Sequence, residues 1–307
     1  MSSALNSPPV AVVTDSTSGL LGAPLPALDG VHIVPLVVQR DGKEYRENVD
    51  ITGAEVLQAL QNGEVFTTSR PAPAEFARVY EELAESGARA AVSVHISSEL
   101  SGTYEAALMA AKDAPIPVEV VDSKSAGMVL GFGAYAALEA IRRAGEREDP
   151  AAMARASAAV AREVFDRGSV LFYVDTLDYL HRGGRIGSVS ALLGTALSVK
   201  PLLTVVDGRI ELSEKVRTRR RALERLVARS IGSGRKILDD AAQVDVAIQH
   251  LGAPRAAEEA LRQVEEKLGE SVRLGIVSDA GAVLGAHVGP GVVGAIVTPV
   301  IHNNLAE

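Results

Sequence analysis

The feature that most constrains this chain is a repeated switch between short β-branched runs and helical periodicity. Val10–Val13, Val31–Val38, Ala90–Ile96 and Val118–Val121 read as buried strands. Between them, Thr52–Gln61 and Ala74–Ala84 carry apolar residues at helical spacing, the latter as Phe76, Val79, Tyr80 and Leu83, and a further helix starts at Thr103. Strands alternating with helices predict a mainly parallel sheet covered on both faces. An alanine-rich stretch from Gly131 to Asp166 reads as helical with a break near Gly145–Pro150. Val170–Val174 then opens a second set. Leu202–Val206 and Arg209–Leu212 flank Asp207-Gly208, a hairpin signal, since Asp-Gly suits a two-residue type I′ turn. A basic helix through Arg219–Ser230, a strand at Val244–Gln249, a helix near Ala256–Leu268 and strands at Val272–Val277 and Val292–Val297 complete the pattern. At 307 residues the chain has room for two domains. The expected fold is therefore two α/β domains sharing a cleft: a disordered tail over 1–9, an N-terminal domain over 10–167 and a C-terminal domain over 168–307.

Composition removes several function classes. A net charge of −8 argues against nonspecific nucleic-acid binding, which draws on basic surface. Aromatic residues are 4% with no Trp, so base stacking is a poor binding mode and the core must be aliphatic. Cysteine is absent, which removes thiol catalysis, disulfides and cysteine-based zinc sites, and a reducing cytoplasm is the expected location. No run of about 18 uncharged apolar residues predicts a membrane span, and Met1–Pro9 lacks the basic and apolar parts of a signal peptide. There is no G-x-S-x-G elbow, Walker loop or H-E-x-x-H helix. The histidines (His32, His95, His181, His250, His287, His302) are scattered, so no metal site is expected. Gly131-Phe132-Gly133-Ala134-Tyr135-Ala136 fits a dinucleotide fingerprint by letter, but Asp122–Leu130 separates it from the preceding strand. A fingerprint needs its glycines at the strand end, so close helix packing is the better reading.

What remains is a set of hydroxyl-rich strand ends: Asp15-Ser16-Thr17, Thr67-Thr68-Ser69-Arg70-Pro71, Ser97-Ser98-Glu99-Leu100-Ser101-Gly102-Thr103 and Asp122-Ser123. Ligands of open α/β sheets bind outside the carboxyl ends of the strands, where helix N-termini and hydroxyls suit a carboxylate or phosphate. Each such residue also reads as a simple helix cap. Tyr179-Leu180-His181-Arg182-Gly183-Gly184-Arg185-Ile186-Gly187 reads as a tight turn presenting Arg185, a bidentate partner for such an anion. His287-Val288-Gly289-Pro290-Gly291 reads as a loop carrying one histidine, and Arg217, Arg219, Arg220 and Arg221 as a solvated helix face or a docking patch.

Six ordered motifs resemble one family. They are Val13-Thr14-Asp15-Ser16, Thr68-Ser69-x-Pro71, Ser97-Ser98-x-Leu100-Ser101-Gly102-Thr103-Tyr104, Val121-Asp122-Ser123-Lys124, Asp175-Thr176-Leu177-x-Tyr179-Leu180-x-x-Gly183-Gly184-Arg185-Ile186 and His287-x-Gly289-Pro290-Gly291. Together they are similar to the DegV family of bacterial fatty-acid-binding proteins. Arg70 and Ala72 stand where that family usually has Gln and Ser, and Glu99 where it often has Gly. The resemblance implies two α/β domains with a lipid tunnel at or near the interdomain cleft. It implies a long-chain fatty acid such as palmitate as ligand, without a cofactor, its carboxylate held by Thr68, Ser101 and His287. Ser69, Arg185 and Arg217 become head-group or partner contacts. The implied partner is a fatty acid kinase of the dihydroxyacetone-kinase-like type, acting on the bound carboxylate for phospholipid synthesis, so the chain is a carrier and no enzyme. The resemblance leaves room for transient membrane contact. Two alternatives use the same Ser/Thr/His site: a hydrolase built on Ser101 with His287, and a binder of a phosphorylated metabolite.

Overall fold

In the computed structural model, which describes residues 9–26, 28–144, 149–192 and 200–302, the first half of the chain builds two sheets. It runs β1 (Val10–Asp15), β2 (Val31–Val34), β3 (Val37–Arg40), β4 (Lys43–Arg46), α1 (Gly53–Gln61), β5 (Thr67–Ser69), α2 (Pro73–Glu85), β6 (Ala90–His95), α3 (Thr103–Ala111), β7 (Val118–Asp122), α4 (Met128–Ala144) and α5 (Pro150–Arg167). The sheet β2-β1-β6-β7 is parallel throughout. Every residue of β1 and β6 is buried, because helices cover both faces. Val10, Val12, Val92 and Val94 pack with α4 and α5; Ala11, Val13 and Ala91 pack with Phe76, Tyr80 and Leu83 of α2 and the alanines of α3. Gly131 and Gly133 lie inside α4, where a Cβ at Gly133 would collide with the Phe165 ring of α5. The fingerprint-like glycines serve helix packing.

The run Val31–Val38, read above as one strand, is two. Pro35 brings no backbone N–H and interrupts the ladder. β2 stays in the parallel sheet, while β3 joins a separate antiparallel sheet, β4-β3-β5. Thr68 therefore sits opposite Val38 in this small sheet and not at the carboxyl edge of the parallel one. Three hydroxyl-rich ends remain at that edge, after β1, β6 and β7.

The second half runs β8 (Ser169–Tyr173), α6 (Asp178–Arg182), β9 (Lys200–Val206), β10 (Arg209–Val216), α7 (Arg219–Ile237), β11 (Val244–His250), α8 (Pro254–Leu268), β12 (Val272–Asp279), α9 (Gly281–Val288) and β13 (Val293–Pro299). Its sheet has the order β10-β9-β8-β13-β11-β12. Only β11 and β12 pair in parallel; every other pairing is antiparallel. Unlike the sheet of the first half, this one is mainly antiparallel, because the expected hairpin links β9 to β10 and β13 enters between β8 and β11. Asp207 and Gly208 have φ of 46° and 82°, as a type I′ turn requires. One face of this sheet packs on α7 and α8. The other faces α4, α9 and the small sheet. The division at 167/168 falls between α5 and β8. Residues 1–8 of the expected tail and 145–148 of the expected helix break lie outside the described residues. No helix among those described is long and apolar enough to cross a membrane.

Candidate functional site

Between the face of the second sheet turned away from α7 and α8, the small sheet with α9, and the loop from β6 to α3 lies a cavity of about 300 Å3, within the range of small-molecule sites. Leu36, Val170, Phe172, Val205, Ile210 and Ile296 form its apolar walls, and Thr68, Ser69, Arg70, Ser101, Arg185 and His287 its polar lining. Five of the six site residues read from the sequence thus line one cavity. Arg217 does not: it is exposed between β10 and α7, roughly 20 Å along β10 from Ile210, without a side-chain partner among the described residues.

His287 is not in a loop. It occupies the last turn of α9, where its Nε2 lies 2.7 Å from the Thr68 hydroxyl of β5. Its Nδ1 is buried without a partner among the described residues, against Gly183, where any Cβ would collide with the ring. Glycine at 183 thus makes room for the imidazole, a use of the Gly183-Gly184 motif that a turn reading does not reveal. Burial first, and the Arg185 guanidinium second, lower the His287 pKa to about 4. The ring is neutral at pH 7, and the folded state resists its protonation. Because the unfolded chain takes up this proton near pH 6.5, stability should fall as pH drops from about 6.5 towards 4. Urea unfolding at pH 7 and pH 5 checks this: His287→Gln should lose less stability between the two than the wild type. An equal loss in both proteins would remove His287 as the source.

The Ser101 hydroxyl lies 2.8 Å from that of Thr103. Arg185 donates from Nε to the Leu100 carbonyl (2.9 Å) and from Nη1 to the Gly183 carbonyl (2.6 Å). It clamps the β6–α3 loop across the mouth, so two of its donors are already engaged. Arg70, which the sequence reading noted only as a departure, lies along Gly102 with Nη1 3.3 Å from that carbonyl. The expected docking patch is divided. Arg219 bonds Asp175 at 2.9 Å, Arg220 and Arg221 pair with Glu224, and Arg217 pairs with no acid among the described residues.

The other strand ends serve the core. Asp15 accepts the Thr17 and Ile96 N–H groups at 3.1 and 2.9 Å and faces His95 Nδ1 at 3.2 Å. His95 Nε2 lies 2.7 Å from Ser93, which bonds Tyr80. This is a Ser-His-Asp order, but all three residues are fully buried. Asp122 holds Ser98 and the Lys124 N–H. In the cavity, His287 bonds Thr68 and Ser101 bonds Thr103, so no Ser101–His287 pair forms, and no carboxylate among the described residues bonds Nδ1 to orient His287 as a base. No group of three or more potential metal ligands occurs among the described residues.

A family model described as an uncharacterised protein, DegV family, matches residues 9–300. A DegV domain-containing protein of Streptomyces coelicolor is 45% identical, covering 94% of this chain and 98% of its own. Among solved structures, a fatty-acid-binding DegV family protein from Thermus thermophilus is 34% identical with a TM-score of 0.79, covering 94% of this chain and 99% of its own. DegV from Bacillus subtilis, a fatty-acid-binding protein, has the same TM-score and coverage at 30% identity. With the six motifs in order and five of the six expected site residues around one cavity, this chain belongs to the DegV family.

Proposed function

We propose that the protein binds one long-chain fatty acid, such as palmitate, and presents its carboxylate to a separate kinase of the dihydroxyacetone-kinase-like type as a carrier for phospholipid synthesis. The observation that carries this reading is the polarity of the cavity: apolar walls, with hydroxyls, a neutral imidazole and two arginines in the polar lining. Burying about 14 methylenes at roughly 0.8 kcal/mol each offers near 11 kcal/mol before ordering costs. Hydroxyls then need only fix orientation. A proton on His287 Nε2 donates to Thr68 and leaves Nδ1, which has no partner among the described residues, as a bare lone pair; a buried N–H there would cost more. The Thr68 hydroxyl is then free to donate to a carboxylate oxygen, with Ser101 as a second donor. That the two solved relatives above are fatty-acid-binding proteins supports the same ligand class.

Lipid extraction and mass spectrometry of the purified protein test the reading. A stoichiometric fatty acid is expected, and a polar phosphorylated metabolite in its place would overturn it. Thr68→Ala and Ser101→Ala should each weaken palmitate binding about ten- to 150-fold, the range for hydrogen bonds to a charged group; wild-type affinity in the double variant would refute the assignment.

Arg217 fits a docking contact better than a ligand contact, being exposed outside the cavity and paired with no acid among the described residues. Arg217→Ala should leave co-purified lipid unchanged and slow acyl-phosphate formation by the kinase, with wild-type turnover falling as salt rises. Loss of lipid with normal turnover per bound lipid would place the arginine in the binding site instead.

A further inference from the structure

The helix that carries His287 is capped from two directions: Asp279 Oδ1, just before it, accepts the Gly281 N–H at 2.7 Å. Ala280, at its N-cap, makes no side-chain hydrogen bond, although the first N–H groups of any helix need acceptors. The acceptor for the next free N–H, that of Val283, comes from elsewhere in the chain. Glu47, immediately after β4, is 1% exposed, and its Oε1 accepts the Val283 N–H at 2.9 Å. Gly281 has φ +81° and sits so close that an added Cβ would come within 2.5 Å of Glu47 Oε1, which suits glycine twice over. Glu47 is itself held in place: its N–H donates to the Leu36 carbonyl at 2.9 Å, and the Leu36 N–H donates to Ser16 Oγ at 3.0 Å. The Asp15-Ser16 motif, unused by the cavity, thereby anchors this arrangement. At its other end α9 meets Thr68 through His287. Both ends of the helix, about 12 Å apart, are thus tied to the same small sheet.

We propose that Glu47 is a positioning residue for the ligand site: by capping α9 in trans it keeps His287 in register with Thr68. Burying a carboxyl group is costly, and Glu47 is 1% exposed. A surface acid would suffice for solubility; this one is spent on a single helix end. The inference rests on the fatty-acid reading only for its choice of ligand.

The test compares Glu47→Ala with Glu47→Gln, which keeps a side-chain acceptor. The measurements are palmitate affinity and the His287 ring signals in NMR spectra of the ligand-free protein at pH 7. Glu47→Ala should weaken palmitate binding at least fivefold and displace the His287 Nε2 signal, while Glu47→Gln stays within about twofold of wild type with the signal in place. Wild-type affinity and an unmoved His287 signal in Glu47→Ala would overturn the proposal, as would a Glu47→Gln variant that falls equally far. If Glu47→Ala does not fold, Glu47→Asp, which withdraws the carboxyl by one methylene, takes its place under the same two criteria. A wild-type protein that binds no palmitate would overturn the fatty-acid reading alone, and the ligand-free His287 signals would still decide the role of Glu47.

Discussion

Val170→Trp should abolish fatty acid binding while leaving the protein at least as stable as the wild type. Val170 lies on β8 and lines the apolar part of the cavity beside Phe172 and Ile296. An indole there occupies space that the hydrocarbon chain needs. Displacing about seven methylenes at roughly 0.8 kcal/mol each costs near 6 kcal/mol, or about ten-thousandfold in affinity. In a filled core the same substitution would overpack and destabilise, but here the added volume enters a cavity. Lipid extraction and urea unfolding on one preparation separate the two effects. Wild-type lipid content in a stable variant would show that the chain lies elsewhere.

Asp15→Ala should destabilise the fold by about 3–5 kcal/mol without acting through the ligand. The substitution strands the Thr17 N–H, the Ile96 N–H and His95 Nδ1 in a region with no exposure. Each buried group left unsatisfied costs about 1–3 kcal/mol, only partly relieved by relaxation. Equilibrium unfolding measures it, and a loss under about 1 kcal/mol would show that water or a shifted loop replaces the carboxylate. The Ser93-His95-Asp15 order should turn over no ester in the wild type, since no substrate carbonyl can reach Ser93 in the sealed core. Ester hydrolysis lost on Ser93→Ala would contradict this.

Much of the frame was legible in the amino-acid order because its causes are local. β1 and β6 are runs of small and β-branched residues, which is what a strand buried on both faces demands. Thr52 and Glu55 form a reciprocal capping box at the start of α1, and Asp207-Gly208 makes the turn that its left-handed preference favours. The motif order also pointed to the family, and with it to Thr68, Ser101 and His287 before any geometry was known.

Other features depend on partners distant in sequence. Gly281–Val288 is rich in glycine and apolar on every side, so it carries no amphipathic period; it becomes a helix where Glu47 caps it and the core receives it. Within Lys43–Asp50, Glu47 looks like any surface acid, and burial alone distinguishes it. Asp15 and Thr68 look alike as polar strand ends, yet one closes a core network and the other lines the cavity. By itself the sequence determined the central strands β1 and β6, the helices with their own caps, the tight turn and the family, because each is written in neighbouring residues or in motif order. The tertiary structure decided which hydroxyls face the cavity, which carboxylates are buried and which arginines of the 217–221 run pair with acids. Those outcomes depend on contacts between residues such as Thr68 and His287, more than two hundred positions apart, which exist only once the sheets have packed.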